Sequence, residues 1–311
     1  MNNQTTSTIL MIRPVNFGFN EQTAGSNAFQ NRNAEQQQVQ DKALKEFDGF
    51  VHILRDNGVE VIVIDDTIEP HTPDSIFPNN WVSFHNDGTV FLYPMMAENR
   101  RLERREDIIM QLEDEFKIKH VIDLSRFEHE HKFLEGTGSM VLDRENKLAY
   151  ACLSPRTDKQ VLEQFCLKSG YTPVLFHAVD QNGMDIYHTN VLMCIGSSFV
   201  VICLESMNNI AEKENVVNII KASKKQLIPI SFDQMNHFAG NMLEIENKAG
   251  ESLLIMSKSA WDSLNYEQKA VLSSFSKPVY ADIGTIESNG GGSARCMMAE
   301  VHLPRTQAFG S

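Results

Sequence analysis

Residues 172–222 read TPVLFHAVDQNGMDIYHTNVLMCIGSSFVVICLESMNNIAEKENVVNIIKA, and the order of patterns in this stretch decides the fold. Thr172 to His177 is a short apolar run rich in strand formers, bounded by polar residues. A polar loop follows. Two apolar runs from Thr189 to Leu204 then flank Gly196-Ser197-Ser198, a hairpin turn. Residues 207–222 carry apolar positions at helical spacing. The unit is strand, loop, hairpin, helix.

The same order recurs on both sides of this stretch. Upstream, apolar residues at Val39, Ala43, Phe47, Phe50, Val51 and Leu54 predict a helix over 34–58, with Asn57-Gly58 as its stop signal. Val59 to Ile64 is then a strand, and Trp81 to Phe84 with Thr89 to Tyr93 form a hairpin around Asn86-Asp87-Gly88. A helix is expected over 97–117, a strand over His120 to Leu124, and a hairpin over Gly138 to Tyr150. The helix Asp158 to Lys168 follows Pro155, with Ser154 or Thr157 as its cap. Downstream come a strand at Gln226 to Ser231, a hairpin from Met242 to Met256 and a helix over 258–274. The strand Val279 to Ile283 and a tail strand, Met297 to Leu303, complete the chain, and Ile9 to Arg13 is left to pair with that tail. Five units of about sixty residues, with no linkers between them, predict one α/β domain spanning residues 1–311 around a pseudo-fivefold axis.

That symmetry locates the chemistry. The connection from lone strand to hairpin has the same place in every unit, so all five converge on one end of the axis. In chain order they carry Asp74 to Asn80, Glu135, His188 with Asn190, Asn236 to Asn241, and Cys296. Cys296 is the candidate nucleophile: it follows Asn289-Gly290-Gly291-Gly292-Ser293, where backbone can approach a ligand closely, and Arg295 beside it favours a thiolate. The other cysteines lie in apolar strand or helix runs, where a thiol packs as a small hydrophobe. His188 has the pKa range of a general acid and base, and Glu135 can orient an imidazole. Each residue alone also has a structural reading; their shared topological position is what singles them out.

Composition narrows the classes further. A net charge of −13 and the absence of a basic patch argue against nucleic-acid binding. Five cysteines without paired spacing read as free thiols, and with no signal-peptide pattern the expected location is cytoplasmic. The longest apolar run is strand-sized, so no membrane span is expected. His129-Glu130-His131 lacks further metal ligands, and Gly290-Gly291-Gly292 lacks the lysine of a phosphate loop. No metal and no cofactor are called for. The sequence does not fix the oligomeric state and leaves a homo-oligomer open.

At these residues the chain resembles the guanidine-modifying superfamily, the penteins, and within it the arginine-deiminase-related citrulline hydrolases. The resemblance runs through Met11-Ile12-Arg13-Pro14, Pro73-Asp74-Ser75-Ile76-Phe77-Pro78-Asn79-Asn80-Trp81, Leu134-Glu135-Gly136, His188-Thr189-Asn190 and the approach to Cys296. It implies a five-unit α/β propeller with a central site, Cys296 as nucleophile, His188 as general acid/base and Glu135 as its partner. The deiminases carry aspartates where this chain has Asn80 and Asn190; neutral amides suit an uncharged ureido group better than a guanidinium. Asp74 remains as an anion, and Phe77 stands with it in the substrate-binding set. The substrate end resembles the dimethylargininases: Arg100, Arg101 and Arg156 match positions that hold an α-carboxylate, a task the planar arginine fork suits. Residues 22–27 resemble a mobile lid. The expected activity is hydrolysis of L-citrulline to ornithine, carbon dioxide and ammonia. Arginine or methylarginine hydrolysis, amidino transfer, and a non-catalytic binding role on the same scaffold are the alternatives.

Overall fold

A computed structural model describes residues 3–25, 27, 29–30 and 36–306. Among the described residues, fifteen strands form five separate three-stranded sheets. Four of them repeat one pattern. In the first, Val82–Phe84 pairs antiparallel with Thr89–Leu92, which pairs parallel with His120–Asp123. The others are Val141–Asp143, Leu148–Cys152 and Thr172–Phe176; Met193–Ile195, Phe199–Ile202 and Gln226–Pro229; and Leu243–Glu246, Ser252–Ser257 and Lys277–Ala281. The helical segment between hairpin and third strand supplies the crossover that a parallel pair requires.

The fifth sheet is assembled from both ends of the chain. Thr8–Arg13 pairs parallel with Glu60–Asp65 and antiparallel with Ala299–Glu300, so the tail takes the place of a hairpin strand and closes the ring. Residues 8–12 are almost wholly buried, as a central strand covered on both faces should be. Along the helix Gln36–Asp56, the apolar positions Val39, Ala43, Phe47, Phe50, Val51 and Leu54 are all buried, packed with Ile9, Met11, Val279 and Ile286. Replacing Phe47 by alanine there costs about 3–5 kcal/mol. This is the five-unit α/β propeller.

The differences from the sequence reading are local. The helix expected over 97–117 is two, Glu98–Arg101 and Glu106–Glu113, because the backbone is extended at Arg105, the residue that opens the second. The helix expected over 258–274 breaks into Lys258–Ser263 and Tyr266–Phe275, since Asn265 and Gln268 close a capping box that starts the second piece. Asp158, not Ser154 or Thr157, caps Lys159–Ser169 by accepting from the backbone of Gln160 and Val161. Short helical turns, Pro78–Asn80, Gly136–Ser139 and Thr189–Leu192, run directly into the first strands of three hairpins. They were too short to show a period, yet they aim the side chains of the site.

Candidate active site

Glu135 and His188 occupy the same place in successive units, each just before one of these turns. His188 Nε2 lies 2.8 Å from Glu135 Oε2, and both side chains are buried. Burial alone would raise the Glu135 pKa, but Arg156, the His188 hydrogen bond and Arg100 outweigh it and hold the carboxyl well below its usual range. Burial lowers the His188 pKa to about 4 against the pull of Glu135, so the imidazole is neutral at pH 7. An ionised Glu135 only accepts, so Nε2 carries the proton and Nδ1 keeps its lone pair.

Cys296 sits in the turn after helix Gly284–Gly290, its backbone N–H donating to Ser293 at 2.9 Å. The glycine stretch is explained by contact with Phe77: a Cβ on Gly290 or Gly292 would fall 2.7 or 2.9 Å from that ring. Asn190 Nδ2 and Asn241 Nδ2 approach Cys296 Sγ at 3.4 and 3.3 Å. Both amides present N–H groups to the sulfur. Asn241 itself is held by its Nδ2 contact to the Asn190 carbonyl and by accepting from the Arg295 N–H.

Asp74, Phe77, Asn80, Arg100, Arg156, Tyr187, His188 and Cys296 line one recess. Its free volume is about 20 Å³, room for little more than a water. Asn20 donates to Asp74 Oδ2 at 2.7 Å, the Thr23 carbonyl accepts from Arg156 at 3.1 Å, and Asn27 reaches the Gly290 carbonyl at 3.3 Å. The segment expected as a lid thus lies on the site, except Ser26, which falls outside the described residues. Two buried atoms lining the recess, Asp74 Oδ1 and Asn80 Nδ2, have no hydrogen-bond partner among the described residues, and neither has Asn190 Oδ1 beside the sulfur. Two of the three are acceptors and one is a donor.

A family model described as N,N dimethylarginine dimethylhydrolase, eukaryotic, matches residues 13–303. The chain belongs to this family. It is accordingly a hydrolase of C–N bonds in the guanidino and amidino class, within the guanidine-modifying superfamily. Among solved structures, the substrate-bound N-terminal domain of ArgZ, an arginine dihydrolase of the ornithine-ammonia cycle in cyanobacteria, is similar at 16% identity and a TM-score of 0.74, over 96% of this chain and 98% of that one. AgrE with L-arginine gives 16% and 0.75, covering 96% of this chain but 41% of AgrE. A dimethylarginine dimethylaminohydrolase adduct with S-methyl-L-thiocitrulline gives 14% and 0.64, over 96% of this chain and 100% of that one. At such identities the likeness shows the fold. No curated protein matches the sequence.

Within this family member, not every expected residue reaches the recess. Arg101 is partly exposed and braces the carbonyls of Met95 and Met96, beside Glu128. Arg295 turns from the sulfur to Glu300 and the Met298 carbonyl, so the thiol's support comes from Asn190 and Asn241 instead. Arg100 is in the recess but is clasped by Glu103 at 2.9 and 3.0 Å and donates to Asn80 at 3.0 Å. It stands among the carboxylates rather than at the opening. Arg156 stacks over Tyr187 at 5.0 Å, where the recess meets an outer cavity of about 690 Å³. The sequence reading brought Asn236 to Asn241 to the site but gave Asn241 no role, and it missed Glu103, Tyr187 and Asn20, which carried no local signal. No group of metal-ligating side chains occurs among the described residues, and none of their helices is long and apolar enough to cross a membrane.

Proposed function

We propose that this hydrolase cleaves the ureido group of L-citrulline to L-ornithine, carbon dioxide and ammonia. The observation that carries the reading is the orientation of Asn80. Arg100 Nη1 lies 3.0 Å from Asn80 Oδ1, and arginine only donates, so the amide cannot be turned over. Asn80 Nδ2 therefore enters the recess as a donor in search of an acceptor. A ureido oxygen is an acceptor; a guanidinium has none and would leave that N–H buried and unpaired, at a cost of about 1–3 kcal/mol. The ureido N–H groups suit Asp74 Oδ1, the unpaired acceptor of the recess.

The chemistry follows from the tautomer of His188. Nδ1 takes the Cys296 proton, and the thiolate, supported by Asn190 and Asn241, adds to the ureido carbon. The bond from that carbon to the ornithine nitrogen breaks as His188 returns the proton to the departing amine. This leaves an S-carbamoyl group on Cys296. His188, neutral again, takes a proton from water as the water adds; the S–C bond breaks, the thiolate regains the proton, and carbamic acid departs to give carbon dioxide and ammonia. Glu135 stabilises the imidazolium in both steps. Arg156, at the mouth of the recess, is the arginine placed to meet an α-carboxylate. Entry requires the segment bearing Asn20 and Thr23 to lift.

A second reading, hydrolysis of arginine or a methylated arginine, is supported by the Asp74 carboxylate, by the family description and by the arginine dihydrolases among the similar structures. Product analysis after separate incubation with L-citrulline, L-arginine and an N-methylated arginine distinguishes the two. Ornithine from citrulline but no reaction with arginine supports the ureido reading; turnover of arginine compounds with citrulline inert refutes it.

A further inference from the structure

Glu103 and Arg100 are fully enclosed, yet neither has a step in the chemistry above. Glu103 is 3% exposed and Arg100 2% exposed. Their link is a two-pronged fork, Arg100 Nε to Glu103 Oε1 at 2.9 Å and Nη2 to Oε2 at 3.0 Å. The third edge of the guanidinium, Nη1, reaches Asn80 Oδ1, while Asp74 and Glu135 stand 3.7 and 3.8 Å away. A planar guanidinium clasped on one edge has a fixed direction on the other. We propose that Glu103 and Arg100 form a positioning pair that selects a ureido over a guanidino head group by holding Asn80 with its Nδ2 turned into the recess. The inference rests on the substrate reading above and goes further, by placing the source of selectivity in a residue outside the ring of groups around the reacting carbon.

Three residues apart, Arg100 and Glu103 share one face of the short helix Glu98–Arg101 and the turn at Leu102 that ends it, and that face is turned inward. Burying an acid and an arginine together stabilises little compared with packed apolar side chains, so the arrangement argues for orientation rather than stability. Without the clasp, Arg100 can swing toward Asp74 or Glu135, and Asn80 is released to rotate and present its oxygen, to which a guanidinium N–H donates as readily as a ureido N–H does.

The test is a comparison of selectivity, measured as kcat/KM for L-citrulline divided by kcat/KM for L-arginine, in the wild type, Glu103→Gln, Arg100→Lys and the double variant. The Kd of each compound on a Cys296→Ser background is measured alongside. Glu103→Gln keeps the volume but turns an N–H toward the guanidinium. The expected result is a fall in the citrulline-to-arginine ratio of about tenfold or more, the size of one lost buried hydrogen bond. The double variant should be no worse than either single one, because both break the same link. Glu103→Asp, which keeps the charge, should recover part of the ratio. A loss of equal size for both compounds, or additive effects in the double variant, shows a merely structural role and overturns the proposal. A wild type that prefers arginine overturns the substrate reading, whereas an unchanged ratio in Glu103→Gln overturns the positioning pair whichever compound is preferred. If neither compound is turned over or bound, both fall.

Discussion

Gly138 gives a direct test of the geometry, because two groups of the site rest against its bare Cα. A Cβ there would lie 2.3 Å from Asn80 Nδ2 and 2.9 Å from His188 Nδ1, where ordinary contact begins at 3.4 Å. In Gly138→Ala the Asn80 amide must therefore retreat by about 1 Å and the imidazole by about half that, and a misplacement of about 1 Å typically costs 10²-fold in rate. The strain on the fold is that of one extra methyl in a packed site, about 1–3 kcal/mol. The assay is kcat/KM on the accepted substrate, with the thermal midpoint measured in parallel. Gly49→Ala serves as control: it lies inside helix Gln36–Asp56 with nothing within 4 Å of an added Cβ. Alanine there should be neutral or stabilise by up to about 1 kcal/mol. A loss of about 100-fold in Gly138→Ala, with a thermal midpoint lowered by only a few degrees, is the expected outcome. Activity within about twofold of wild type would mean that the positions of Asn80 and His188 are not what the reaction needs.

Cys296→Ala should remove turnover while circular dichroism and the thermal midpoint stay near wild type; retained turnover would exclude a covalent step at this thiol. Arg156→Lys keeps the charge but loses the fork, so KM should rise by about tenfold with a smaller change in kcat, and an unchanged KM would place the carboxylate elsewhere. Arg101→Ala should lower kcat with a smaller change in KM, since this side chain braces the Met95–Met96 loop whose Met96 N–H donates to Glu135 at 3.0 Å, and an unchanged kcat would show that the brace does not reach the site. Stability should depend on pH through the buried histidines. Burial lowers His188 and His302 to about 4 each, so between about pH 4 and 6.5 the unfolded chain binds more protons than the folded protein. The contribution is complete above 6.5 and is lost as pH falls through that window, by up to about 1.4 kcal/mol per pH unit for each group. Burial raises the Glu287 carboxyl to about 7, which works in the opposite direction over the same window. The histidine part is therefore read as the difference between wild type and His302→Gln in the change of denaturant stability from pH 7 to pH 5; no difference would refute it.

The sequence by itself determined the repeat. Apolar runs, turn dipeptides and helical spacing are local signals, and their recurrence sets five units around one axis without any coordinates. It also determined that Glu135, His188 and Cys296 meet, because residues at equivalent places in a closed ring of repeats must converge. Two internal boundaries were legible after the fact in Asn265…Gln268 and in Asp158, whose capping patterns are local too. The tertiary structure alone decided where the long charged side chains point. Arg100, Arg101 and Arg295 each have several rotatable bonds and several carboxylates or carbonyls in reach, so their partners depend on neighbours from other units. Glu103 draws Arg100 inward, Met95 and Met96 hold Arg101 to a loop, and Glu300 turns Arg295 away from the sulfur beside it. The same holds for Asn80: its type could be read from the chain, but which end of its amide faces the substrate is set by an arginine twenty residues away that only folding brings to 3.0 Å.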